Sequence, residues 1–198
     1  RRFAAEHVYR KPVHVDYFAT AVFFTAGAIL TLGTLFTVQI TTGGLPWWLI
    51  AIYLFTWVGF GGRGMGVAYT FAHREGHLAG GRMYRPWIRD HIGNFFENWG
   101  GFFYGGVPYN FSTSHNLLHH RLNAGKGDPF YMWDVDRTDF GDLMLYQWRI
   151  FVYMSGWSSL KEFRKQRDVK RMDEAYRTLR KGFILFWAVA PATILTLL

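Results

Sequence analysis

The chain has 198 residues, half of them hydrophobic and one-fifth aromatic, with a formal net charge of +8 and no cysteine. Without thiols there is no disulfide frame, no zinc finger and no thiolate nucleophile, so any metal chemistry must rest on nitrogen and oxygen. The aromatics lie in apolar runs rather than along a basic groove where bases can stack, which argues against a nucleic-acid partner.

Residues 1–16 form a short basic lead without the apolar core and cleavage site of a signal peptide. His7 and His14 fall in this lead and read as interfacial side chains. From Tyr17 to Ile40 the chain runs 24 residues without a charge, where about 20 in helix cross a hydrocarbon layer. Gly and Pro within Thr41–Pro46 then break the helix. A second uncharged run begins at the interfacial pair Trp47 and Trp48, reaches Gly62, and resumes after Arg63 from Gly64 to Ala72. One helix from Trp47 to His77 would cross and project into water, with glycines 61, 62, 64 and 66 as its weak point. A third run, Gly182 to Leu198, is 17 residues long. A chain stopping inside a span reads as the N-terminal piece of a longer protein.

Lys and Arg number four in 1–16, none in 41–46 and seventeen in 74–181. By the positive-inside rule the N-terminus and the long segment face the cytosol or stroma, and the short loop faces the other side. Asn98 to Ser114 holds four glycines and Pro108 in 17 residues, poor helix material that suits a cavity wall. Leu143 to Trp157 reads as a helix lying in the headgroup layer. Lys161 to Lys181, with nine basic and four acidic residues, reads as a solvated amphipathic helix near anionic lipid.

Five of the eight histidines arrive in two clusters, His73-Arg-Glu-Gly-His77 and His115-Asn-Leu-Leu-His119-His120. A lone His on an apolar face is usually a core residue, but five at ligand spacing form a ligand constellation. His73 and His77 are four apart, as are His115 and His119, so on helices each pair shares a face. His120 follows about 100° further round, and such divergence suits two metals better than one. Nitrogen ligation without thiolate is compatible with zinc, copper or iron. A zinc-protease helix needs Glu directly after its first His; here Arg74 stands in that place and Glu75 comes one residue late. Bis-histidine haem is also disfavoured, because Arg74, Glu75 and Arg121 crowd the clusters.

The order of a two-span hairpin, His-x-x-x-His, His-x-x-x-His-His and then Asp128-Pro129 resembles the membrane fatty acid desaturase superfamily. His77 and His115 are 38 positions apart, and Arg121 to Gly127 separates His120 from Asp128. The likeness spans roughly residues 17–198. It implies an all-α integral membrane fold, with residues 1–198 forming one desaturase-like domain that is incomplete at its C-terminus. It further implies two non-haem iron ions held by His73, His77, His115, His119 and His120, with dioxygen as co-substrate. Asp128 would orient a ligand imidazole. His91 is a possible extra ligand, although a surface histidine is the plainer reading. The acyl chain would run past Trp99, Phe102, Phe103, Tyr104 and Tyr109, residues that equally suit interface packing. A ferredoxin or b-type cytochrome would deliver electrons to the basic face. The resemblance therefore implies an oxygen-dependent acyl-lipid or acyl-CoA desaturase. A hydroxylase or carotenoid ketolase on the same scaffold is the alternative, as is a non-catalytic membrane protein that binds metal or senses lipid. Two departures stand out. No histidine follows His120, so the family's third box is missing, and Ser114 precedes box two where alkane hydroxylases carry Glu.

Overall fold

In a computed structural model of the chain, all residues are described except 59–62, 79, 101–104 and 198, together with the side chains of 24, 25, 28, 29, 56–58, 63–65, 67, 193, 194, 196 and 197. Among the described residues the protein is all helical, and its only β feature is one isolated antiparallel bridge between Tyr9 and Tyr84.

The first apolar run forms α1, Tyr17–Thr42. The hydroxyls of Thr31, Thr34, Thr37 and Thr41 donate to carbonyls one turn back, at 2.6–2.9 Å, so these polar groups need no solvent. Gly43 ends the helix at φ 70°, its N–H bonded to Gln39 O, the left-handed stop that glycine favours. Helix α2, Trp47–Val58, returns alongside it, and α3, Arg63–His77, packs on both. The junction of α2 and α3 at 59–62 lies outside the described residues. Among the described residues no helix is long and apolar enough to cross a membrane; four side chains inside α1 are not among those described.

The basic lead is not a free tail. Arg10 N–H donates to Met83 O and Arg85 N–H to Val8 O, at 3.0 and 2.9 Å. The Arg85 guanidinium caps Tyr9 O and Ala5 O, and Trp87 Nε1 donates to His7 O at 3.0 Å. Folding back in this way buries Tyr9 against Tyr84 and draws His14 inside to 3 % exposure, edge-on to Tyr9. The interfacial expectation for His14 is thus corrected: the lead pairs with residues 83–85, a long-range contact that local composition does not encode. His7 remains exposed.

Two short helices follow, α4 (Pro86–His91) and α5 (Phe95–Asn98), and then α6 (Phe111–His119), which is wound with π-type hydrogen bonds and runs on into a turn at His120–Leu122. A first core joins Tyr9, Ala68, Phe71, Ala72, Met83, Tyr84, Ile88, Phe96 and Phe111. Helix α7, Phe140–Met154, is capped by Asp139, whose side chain accepts from Asp142 N–H. It exposes Phe140, Leu143, Met144, Trp148 and Phe151. The basic segment forms two helices, α8 (Trp157–Lys165) and α9 (Lys170–Ile184), continued through Leu185–Val189 into α10, Ala190–Leu197. Its composition predicts one solvated amphipathic helix; the structure divides it in two, and the apolar face, Phe163, Met172, Ala175 and Leu179, packs on Val107 and Leu118, with Gly182 letting α9 close on Pro108 O.

Candidate metal centre

Helix α3 buries Ala68, Phe71, Ala72 and Glu75 on one side and turns His73 and His77 toward α6. The approach is close because residue 76 is glycine: a Cβ there would collide with Phe111. Asn116 Nδ2 locks the pair by donating to Gly76 O at 2.9 Å.

On α6 the winding decides which histidines meet. The N–H of His120 bonds to His115 O, five residues back, the π-type pattern that recurs at functional sites. The His115 and His120 rings therefore meet edge to face, 4.5 Å between centroids at 82°. The Nε2 atoms of both boxes then converge: His73 to His115 at 2.6 Å, His77 to His73 at 2.8 Å and His120 to His77 at 3.2 Å. All four ligand atoms lie within 4.8 Å of one another.

Hydrogen bonding cannot account for this convergence. A ring nitrogen offers one in-plane site, as a donor or as an acceptor, yet the Nε2 atoms of His73 and of His77 each face two other nitrogens. Ligands about 2.0–2.1 Å from one ion stand about 2.8–3.4 Å apart, and the observed separations of 2.6, 2.8 and 3.2 Å overlap that range. Burial, and then the neighbouring imidazoles, lower the His73 pKa to about 4 and the His115 pKa to about 3; burial lowers that of His77 as well. At neutral pH these rings are neutral and their lone pairs are free for a cation. Four nitrogens and no thiolate suit zinc, copper or iron.

His119 stands outside the four-nitrogen group, with its ring 5.0 Å from His115 and 5.5 Å from His120. Its Nδ1 meets Asp128 Oδ2 at 2.9 Å. Asp128 is buried and held in turn by the N–H groups of Ala124 and Phe130, at 2.7 and 2.8 Å. It therefore both orients an imidazole and shapes the turn before Pro129. With Nδ1 engaged, Nε2 is the nitrogen left for a ligand.

His91 is exposed on α4, its Nδ1 2.6 Å from Trp87 O, and takes no part in the cluster. Trp99 lines an apolar groove of about 530 Å³ with Val8, Tyr84, Ile88, His91, Ile92 and Phe95. Tyr109 sits at φ 67° and its carbonyl accepts from Thr113 at the start of α6. Phe102, Phe103 and Tyr104 lie outside the described residues.

Two carboxylates behind the histidines were not assigned from sequence. Glu75 is fully buried, accepting from Tyr84 O–H and from Glu97 N–H, the latter at 2.6 Å. Glu97 is 3 % exposed and accepts from Ser112 N–H and Oγ at 3.0 and 3.1 Å. Burial raises Glu75 to about 8 and Glu97 to about 7. One signal was available: Glu97 is the single Asp, Glu, Lys or Arg between His91 and His120. Comparisons with known protein families, with characterised proteins and with solved structures return no match.

Proposed function

We propose that the chain carries the histidine centre of a membrane-embedded oxidoreductase that desaturates a fatty acyl chain with dioxygen. The reading rests on one observation: two His boxes, 38 positions apart in sequence, bring four Nε2 atoms to one point while Asp128 orients a fifth imidazole beside them. His73, His77, His115 and His120 would hold one iron. His119 would serve a second, together with ligands of a third box that these residues do not contain. Bound iron would supply the oxidant that an unactivated C–H bond requires. The chain's own part is orientation and exclusion of water: burial keeps the His73, His77 and His115 imidazoles neutral, and the Asp128 contact fixes the His119 tautomer. The uncharged α1 and α2, which expose Val22, Phe23, Leu30, Trp47 and Phe55, support a lipid-facing hairpin with the histidine boxes on the cytosolic or stromal side. The basic residues of α8 and α9 suit an acidic ferredoxin or b-type cytochrome as donor.

The test is iron content and lipid products of the full-length protein in a host that lacks the product. About two irons per chain with a new unsaturated acyl chain supports the proposal; an oxygenated product moves it to hydroxylase or ketolase. A second reading, a mononuclear site in a metal-binding or lipid-sensing membrane protein, is favoured by the convergence of only four ligands. One tightly held ion with no product would establish it.

A further inference from the structure

Helix α7 is amphipathic the wrong way round for a helix bathed in water. Phe140, Met144, Trp148 and Phe151 recur every three or four residues and form one exposed stripe, with Trp148 stacked on Phe151 at 5.5 Å. The two charged residues of α7 turn the other way. Asp142 Oδ2 accepts from Asp136 N–H at 2.7 Å, and Arg149 grips both Asp134 oxygens at 2.6 and 2.7 Å and Tyr131 O at 3.0 Å. A water-facing helix turns its charges outward and buries its apolar stripe; here the stripe is outward, and it calls for an apolar partner.

The aromatic surface does not end with α7. Trp157 opens α8, and Trp187 lies where α9 runs on towards α10; both are exposed and both pack on Phe183, at 5.9 and 6.5 Å. Trp187 Nε1 donates to Ser155 O at 3.0 Å, which ties this group to the C-terminal end of α7. Arg180 and Lys181, about two turns before Trp187, are exposed and have no carboxylate partner among the described residues. From Gly182 to Leu198 no charge follows. Cations, then tryptophan, then an uncharged run is the order of headgroups, interface and acyl layer. All eight tryptophans whose side chains are described are exposed, by 44–79 %, although tryptophan is highly buried on average in folded proteins.

The inner face of α7 meets the histidine centre. Tyr153 is fully buried and its ring lies 4.2 Å from Phe130, which packs edge-on against His119 at 5.0 Å. We propose that the outer stripe of α7, continued by Trp157 and Trp187, lies in the headgroup layer of a bilayer containing anionic lipid, and that α7 thereby seats the histidine centre on the membrane surface. About one helix diameter, 10–12 Å, then separates the lipid from the residues that touch His119. A helix lying in the interface needs no span-length apolar run, and this contact requires neither the α1–α2 hairpin, nor bound metal, nor desaturase activity.

Because the chain has no cysteine, one introduced thiol carries one spin label. Met144→Cys and Phe151→Cys place it on the stripe, Lys170→Cys on the exposed start of α9, and Leu30→Cys on α1. Each full chain is reconstituted in vesicles of equal parts phosphatidylcholine and phosphatidylglycerol, and collisions of the label with oxygen and with a water-soluble paramagnetic chelate are measured. The chelate should reach labels at 144 and 151 about tenfold less than a label at 170, while oxygen reaches them freely, as burial about 5–10 Å into the headgroup and acyl boundary requires. Two stripe positions guard against one label that disturbs folding. Labels at 144 and 151 as open to the chelate as the label at 170 overturn the α7 contact, and protection at 30 in the same vesicles then leaves the hairpin standing. Immobile labels closed to oxygen and chelate alike identify a protein partner or a second copy of the chain, and equally overturn it. Protection at 144 and 151 with an open label at 30 supports the contact and removes the hairpin.

Discussion

The two histidine boxes follow the same spacing rule in sequence and obey it differently in space. Box one lies on an α-wound helix, and there the i, i+4 pair meets as geometry requires, with His73 and His77 Nε2 2.8 Å apart. Box two lies on a π-wound helix, and the pair that meets is i, i+5, His115 with His120. Had α6 kept α winding, His119 would share the face of His115 and His120 would swing away. The π turn reverses their parts: His120 joins the four nitrogens and His119 is handed to Asp128. The motif therefore fixes which residues carry the imidazoles, while the local winding fixes which of them meet.

The largest expected effects break the centre outright. His73→Ala or His115→Ala removes a nitrogen that faces the others at 2.6 Å, and metal affinity should fall by about two orders of magnitude or more, measured by Zn²⁺ or Fe²⁺ titration. The difference between the boxes is sharpened next. His120→Ala should weaken the first ion far more than His119→Ala does, and equal losses would show that the i, i+5 pairing is wrong. Asp128→Asn should act like a mild form of His119→Ala, costing about tenfold in the binding step that depends on His119. Gly76→Ala pushes a methyl into Phe111 where the two helices touch; a loss of about 1–3 kcal/mol is expected in denaturant unfolding.

Acid gives a subtler test. His73 and His115 titrate at about 4 and about 3, below the 6.5 of an ordinary histidine. Between about pH 6.5 and about pH 3 the unfolded chain binds protons that the folded one refuses. Stability of the metal-free protein is therefore intact above this window and declines as pH falls through it. Imidazole NMR titration should find both rings neutral at pH 6, and protonation near 6.5 would mean that the cluster is open to water. The smallest effects belong to His91 and His7, which are exposed and outside the cluster; alanine at either should leave metal affinity within about twofold.

Much of this arrangement is legible in the sequence. Uncharged runs bounded by Gly and Pro give α1 and α2, and His at spacing four gives α3 its ligands. Asp128 is signalled by its place before Pro129 and after box two. What escapes is set by contacts distant in sequence or by a change of winding. His14 is buried because residues 8–10 pair with 83–85, a partner that a basic lead does not announce. Lys161 to Lys181 becomes two packed helices because Phe163, Met172 and Leu179 find Val107 and Leu118. Box two pairs 115 with 120 because α6 adopts π hydrogen bonds, which no residue spacing demands. Glu97 carries no motif signal, since a lone carboxylate amid glycine and aromatics belongs to none, although its isolation marks it.

The most direct test of the centre is X-ray absorption at the zinc or iron edge of the metal-loaded protein, run beside His120→Ala. Joining of the two boxes predicts a nitrogen-only shell at about 2.0–2.1 Å with the outer scattering of about four imidazoles, reduced by one in the variant. An oxygen-dominated shell, or a spectrum that His120→Ala leaves unchanged, would contradict it.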